Sequence, residues 1–277
     1  MVTASPASMV STAIRIFRGS LAVLFGLAFA VGAILLSPLM FVFSRPDRAQ
    51  PLVRAIWRPL VWLFEATRLI RVNRGDVACP RGAIIVANHP SLIDVVLFVA
   101  LFPKTLYVAK SPLRASWILG RIVRATSLPD DARLLDEAPA YLQRGWNVLV
   151  FPEGTRSPKE GLHPFRRGAA QLALRTGAPI VAIGLRLSRR ILAKGQPLFD
   201  MGESPVVYSL CACAPFRAEA REGERARAAA VRVTQEIETA IRVNLVESET
   251  RGRQFSSSWR RDCGGRGGPR PFQQRRR

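Results

Sequence analysis

Residues 21–43 run for 23 positions without a charged side chain, and few environments accept such a run. As a helix it reaches roughly 35 Å at 1.5 Å per residue, enough to cross the hydrocarbon core of a bilayer. Gly26, Gly32 and Pro38 are tolerated there. A retained membrane anchor is therefore expected. The alternatives are a cleaved signal peptide, for which the apolar region is long and the cleavage pattern poor, and the buried helix of a soluble protein. Arg15 and Arg18 precede the run and Arg45, Arg48, Arg54 and Arg58 follow it. The positive-inside rule then puts the protein at the cytoplasmic membrane with the following domain facing the cytoplasm. The next segment, 51–70, carries Val53, Ile56, Trp57, Leu60, Val61 and Phe64 at helical spacing. It predicts an amphipathic helix, kinked or split by Pro59, lying in the lipid interface or packed on the domain. A re-entrant or interfacial hairpin is the alternative to a full span.

Beyond residue 70 the pattern changes to short apolar runs alternating with helical periodicity. Strands are expected at 83–86, 105–109, 148–151, 179–183 and 206–213. Helices are expected from 95–101, 113–123, 131–144, 167–176 (closed by Gly177) and within 217–246. Alternation of this kind predicts an α/β sheet covered by helices. The division is 1–70 as a membrane-anchoring helical segment, 71–247 as the α/β domain, and 248–277 as a tail.

The formal net charge is +21. Such a surplus attracts nucleic acid, anionic headgroups or acidic cofactors alike. Nine of the arginines lie from Arg251 onward against the single acid Asp262. That stretch is rich in Gly and Ser and lacks apolar periodicity, so disorder is expected there. Elsewhere no basic and aromatic residues interleave as a stacking platform, and no specific nucleic-acid partner is expected. Cys79, Cys211, Cys213 and Cys263 have no metal-ligand spacing. The 211/213 pair is expected on one face of a strand.

Two polar clusters end apolar strands. The first is Ala87-Asn88-His89-Pro90-Ser91-Leu92-Ile93-Asp94. A tight turn would let the Asp94 carboxylate accept a proton from one ring nitrogen of His89, leaving the other as a base. Pro90 fits the first turn of the helix that follows. A merely local hydrogen bond is the alternative. The second is Phe151-Pro152-Glu153-Gly154-Thr155-Arg156-Ser157-Pro158. Its turn and guanidinium can meet an oxyanion; alone, it also reads as an ordinary surface turn. Ligands of open α/β sheets bind beyond the strands' carboxyl ends, where both clusters fall. His163 reads as loop structure or as the lining of a substrate channel. No G-x-S-x-G elbow, phosphate-binding glycine loop or H-E-x-x-H zinc site occurs.

The two clusters resemble the glycerolipid acyltransferases, particularly the bacterial 1-acyl-sn-glycerol-3-phosphate acyltransferases. Asn88, His89 and Asp94 match the family's first block, Phe151 to Ser157 its phosphate-binding block, and Ala178-Pro179-Ile180-Val181 its later hydrophobic block. The similarity covers roughly residues 70–210. It implies a mixed sheet covered by helices and no cofactor, with acyl-CoA or acyl carrier protein as donor. His89, oriented by Asp94, would deprotonate a lysophospholipid hydroxyl, and Glu153, Gly154, Thr155 and Arg156 would hold the acceptor or its phosphate. Membrane lipids are the implied partners. Where relatives acting on lysophosphatidic acid carry a Gly/Phe/Arg block, this chain departs, with Gly120-Arg121-Ile122-Val123-Arg124-Ala125-Thr126-Ser127. Arg121 or Arg124 would supply that block's phosphate contact. Two readings compete: an O-acyltransferase for another lysolipid or specialised hydroxylated lipid, and a non-catalytic, basic, membrane-associated lipid-binding protein.

Overall fold

In the computed structural model, residues 6–262 are described except 42, 44, 76, 78–80, 118 and 193–200. Cys79, Cys263 and the last fifteen residues of the tail lie outside the described residues. The apolar runs form β1 (Ile70–Asn73), β2 (Ile84–Ala87), β3 (Thr105–Ala109), β4 (Ser127–Pro129), β5 (Asn147–Val150), β6 (Ile180–Leu187) and β7 (Val206–Ala212). They make one sheet in the order β1-β7-β6-β2-β5-β3-β4. Every pairing is parallel except β6 with β7. The sheet is mixed, as expected.

Side chains alternate across the central strands, so successive residues enter different cores. Ile85, Ala87, Leu149, Val181 and Ile183 face one apolar cluster. Ile84, Val86, Val148, Ile180 and Ala182 face the other. The first is covered by α1 (Pro6–Leu36), α2 (Pro46–Ala66), α3 (Asp94–Leu101) and α5 (Gly120–Thr126). The second is covered by α6 (Leu134–Gln143), α7 (Gly168–Thr176) and α8 (Ala226–Asp262). Apolar faces on both sides explain why the strands read as unbroken hydrophobic runs.

The anchor differs from a free span. Helix α1 begins at Pro6 and ends before a 3-10 turn, Pro38–Phe41. Its segment Met9–Leu35 has a mean hydropathy of 1.9 over an 18-residue window. The helix folds back on α2, with the Phe25 and Phe64 ring centroids 5.3 Å apart and those of Phe29 and Trp57 6.3 Å apart. Arg18 is buried and donates to the carbonyl oxygens of Arg68, Leu69, Gly202 and Ser204. One guanidinium thus ties together two stretches of backbone far apart in the chain, residues 68–69 and 202–204. The apolar stripe of α2 buries Val53, Trp57 and Val61 in the domain, leaving Trp62 exposed. Of the two readings of that stripe, packing on the domain holds. Pro59 does not split α2, which continues through Pro51 and Pro59.

Other expectations shift by local chemistry. The helix expected over 113–123 is two, α4 (Ser111–Arg114) and α5. The three-residue β4 follows α5 without a loop and was too short for periodicity to reveal. Pro129 is tolerated because β4 is an edge strand. Helix α7 ends at Gly177, which holds the left-handed cap. Helix α8 continues past residue 247 to Asp262, into the stretch whose composition predicted disorder. Cys211 is buried in β7, and Cys213 lies just beyond its end.

Gly184 on β6 lies against α8, where an added Cβ would fall 2.7 Å from Asn244 C and Leu245 N. Both are backbone atoms and cannot swing aside. Gly184→Ala is expected to destabilise the fold by about 1–3 kcal/mol, as overpacking does. Thermal unfolding in detergent should show the midpoint fall by several degrees.

Candidate functional site

The register Val86↔Val150 aligns β2 with β5, so that His89 and Glu153 each lie three residues beyond that pair. The sheet thereby brings the two clusters together at the carboxyl ends of adjacent central strands. Asn88 extends the ladder on the other side: its Nδ2 donates to Leu185 O at 2.8 Å, and Leu185 N donates to its Oδ1 at 2.7 Å. This amide takes the place of a strand backbone and fixes where His89 leaves the sheet.

His89 Nδ1 lies 2.9 Å from Asp94 Oδ2, which also accepts the Ser91 N–H at 2.8 Å. Asp94 is the first residue of α3, so the turn at residues 91–93 precedes the helix and Pro90 lies outside it. The expectation of Pro90 in the first helical turn is corrected: the Asp94 carboxylate ties the turn back to Ser91 and delays helix entry. An ionised carboxylate only accepts, so Nδ1 carries the proton and Nε2 keeps its lone pair. The His89 side chain is 16% exposed and that of Asp94 0%, so only the histidine is open to a ligand. Burial pushes the Asp94 carboxyl above its ordinary value, opposed by His89, the Ser91 N–H and the charge of Arg156. The imidazole stacks on Phe151 with centroids 4.3 Å apart, and Phe98 meets Phe151 edge-on at 5.9 Å.

Glu153 is buried, and its carboxylate is a brace. Oε1 accepts the His89 N–H at 3.2 Å and the Ser157 hydroxyl at 2.5 Å, while Oε2 accepts the His163 N–H at 2.9 Å. Ser157 N–H in turn donates to His89 O at 2.7 Å. His163 is thus loop structure, held through its backbone. Gly154 adopts φ +63, and an added Cβ would fall 2.8 Å from the Arg166 guanidinium, so the turn and the close approach of Arg166 both call for glycine. Arg156 donates through Nη1 to Leu192 O at 2.7 Å, which fixes its direction.

A cleft of about 600 Å³ opens here, lined by His89, Phe151, Gly154, Thr155 and Arg156 together with Lys110 and Arg166. Arg121 and Arg124 are not among its lining residues; they are three apart on the exposed face of α5, and Arg124 donates to Arg114 O. The helix buries Ile122, Val123 and Ala125 instead, which turns both arginines outward. The sequence reading missed Lys110 and Arg166. Lys110 ends β3 just as the two clusters end theirs, a signal available in the sequence; Arg166 has none. Lys110, Arg156 and Arg166 share this lining with Asp130 and Asp131, and the cations can meet an anionic group of a ligand beside the imidazole.

Residues 69–186 match the acyltransferase family model. A 1-acyl-sn-glycerol-3-phosphate acyltransferase of Neisseria gonorrhoeae is 30% identical over 125 residues, 42% of this chain and 49% of that protein. Another of that name from Cocos nucifera is 34% identical over 138 residues, 46% of this chain and 44% of its own length. The matched region spans about half the length of these relatives. The crystal structure of the 1-acyl-sn-glycerophosphate (LPA) acyltransferase PlsC from Thermotoga maritima aligns with a TM-score of 0.57 at 23% identity, covering 81% of this chain and 97% of that one. This likeness establishes the fold.

Glu153→Ala would leave the Ser157 hydroxyl and the His163 N–H without their acceptor, and the His89 N–H with Ser157 Oγ alone. A loss of about 1–3 kcal/mol in unfolding free energy is expected, the cost of an unsatisfied buried group. Chemical denaturation of the detergent-solubilised chain measures it.

Proposed function

From the match of residues 69–186 to the acyltransferase family model, we propose that the protein transfers a fatty acyl group from acyl-CoA or acyl-ACP to the free hydroxyl of 1-acyl-sn-glycerol 3-phosphate, giving phosphatidic acid. The observation that carries this reading is the His89–Asp94 pair at 2.9 Å, set at the edge of a cationic cleft. His89 Nε2 removes the acceptor's hydroxyl proton as the oxygen attacks the thioester carbonyl. Asp94 stabilises the imidazolium that forms. The tetrahedral intermediate then collapses, the C–S bond breaks, and the thiolate leaves with the proton that His89 returns. Atoms balance without an acyl-enzyme.

Arg156, with Lys110 and Arg166, holds the phosphate of the acceptor, and Gly154 and Thr155 shape the turn that brings it to His89. Glu153 acts through the backbone of His89 and not on the acceptor, because its oxygens already accept three donors from the chain. Donor and acceptor thus meet over one base.

The amphipathic lipid acceptor calls for a membrane surface. Phe17, Leu24, Leu27, Val31 and Leu35 are exposed along one side of α1, whereas Arg18, Phe25 and Ala33 are buried on the other. Only 22% of the Met9–Leu35 window is buried, so most of α1 offers apolar surface to lipid, as a span or as a re-entrant hairpin. The arginines following the apolar run put the domain on the cytoplasmic side, where acyl-CoA and acyl-ACP are found.

His89→Ala should abolish acyl transfer in reconstituted vesicles without loss of folding or vesicle binding. Arg156→Ala should raise the KM for lysophosphatidic acid by roughly 10- to 150-fold, the equivalent of the 1.5–3 kcal/mol of a charged hydrogen bond, with the donor KM unchanged. An active His89→Ala variant would remove the general base from the scheme.

A further inference from the structure

Behind the His89–Asp94 pair lies a group of polar atoms that the scheme above leaves idle. Asp94 uses only one of its carboxylate oxygens, since His89 Nδ1 and the Ser91 N–H both meet Oδ2. Its Oδ1 is buried without a hydrogen-bond partner, and so are the Ser91 hydroxyl and the Tyr208 hydroxyl. All three belong to residues with no exposed surface. Tyr208 comes from β7, two strands away from β2 in the sheet, and reaches this place through the core shared by α2 and α3.

Three orphaned polar atoms of this kind are costly unless they serve one another. Their chemistry is complementary, because Oδ1 can only accept, whereas each hydroxyl both donates and accepts. Ser91 shares a turn with Asp94, and Tyr208 lies near enough to feel both the Asp94 charge and the Ser91 side chain, so the Ser91 hydroxyl stands between the phenol and the carboxylate. Burial of the phenol and, after it, the charge of Asp94 push the Tyr208 hydroxyl well above its ordinary pKa, opposed by the Ser91 side chain, so it remains a donor.

We propose that Tyr208 and Ser91 are positioning residues of the acid–base pair, donating Tyr208 OH to Ser91 Oγ and Ser91 OH to Asp94 Oδ1. This relay holds the carboxylate ionised and in the plane of the imidazole. It rests on the acyltransferase reading for its consequence in catalysis, and on buried geometry alone for its effect on the pair. The other ionisable groups around the pair are Arg156, whose charge acts on Asp94 from the loop after β5, and Glu153, bound to the His89 backbone. Neither touches Oδ1.

Without the relay, the negative charge of Asp94 is less well met, and the pair binds its first proton more tightly. Protonation of the pair then begins at a higher pH. Tyr208→Phe removes a single oxygen from the core and keeps its shape. In the full chain in vesicles, kcat should fall about three- to tenfold, with both KM values within about twofold of the parent, and the acid limb of the pH–rate profile should move up by roughly half a pH unit or more, as loss of one hydrogen bond to the charged pair requires. Ser91→Ala should do the same, and the double variant should add little to either. The chain has two histidines, so ¹³C-labelled histidine, assigned with His163→Gln, gives the His89 titration in micelles without any turnover. An upward shift of its midpoint in Tyr208→Phe is expected whatever the acceptor. A profile and a titration that superimpose on the parent, with only a lowered melting temperature, would overturn the relay while a dead His89→Ala leaves the acyltransferase reading standing. A parent chain without transfer to lysophosphatidic acid would instead count against that reading, and the imidazole titration alone would then decide the relay.

Discussion

Asp94 sits where a carboxylate is most expensive, at the first residue of a helix inside the protein and with no surface in contact with solvent. Burial of an ionised group is sustained only by donors aimed at it, and much of the local structure can be read as the supply of those donors. The turn at residues 91–93 exposes the Ser91 N–H, and the strand exit at residue 88 delivers the imidazole. Phe151 then stacks on the ring and is itself backed edge-on by Phe98, which supports the imidazole where Nδ1 reaches the carboxylate.

Those positions depend on strand register. Val86 and Val150 are partners, and the chains that leave them are cross-linked at once by Glu153, Ser157 and the backbone of His89. Because side chains alternate along a strand, a slip of one residue would exchange the two cores as well as separate the clusters. The hydrophobic pattern that drives folding therefore also fixes the distance between the base and the cations. Parallel pairing of β2 with both neighbours sends their carboxyl ends to one edge, which is where the cleft opens.

Much of this was legible in the sequence, for different reasons at different places. The apolar runs at 83–86, 148–151 and 179–183 read as buried strands, and each polar cluster is announced by the abrupt end of one. His89 with Asp94 could be paired from spacing because the contact is local. The role of Glu153 could not: a carboxylate in a turn reads as a ligand for something outside, and only the register shows three internal donors converging on it. Arg121 and Arg124 were misplaced for a related reason, since the direction of a seven-residue helix depends on which of its residues the core takes. Tyr208 lies well over a hundred residues from Asp94 along the chain, and no local signal could have joined them.

Arg18 has a mechanical consequence. Its four carbonyl partners come from residues 68–69 and 202–204, where the chain enters β1 and β7, and these two strands pair with each other at one edge of the sheet. The apolar helix is thus riveted to a strand edge at a point midway along its length, and is no loose leash. On the membrane reading, helix and sheet tilt together as one stiff lever, with the cleft on the opposite half of the sheet. How deeply α1 settles among the acyl chains then sets how high the base stands above the headgroups, and lipids are sorted by the depth of their hydroxyl before any side chain of the cleft touches them.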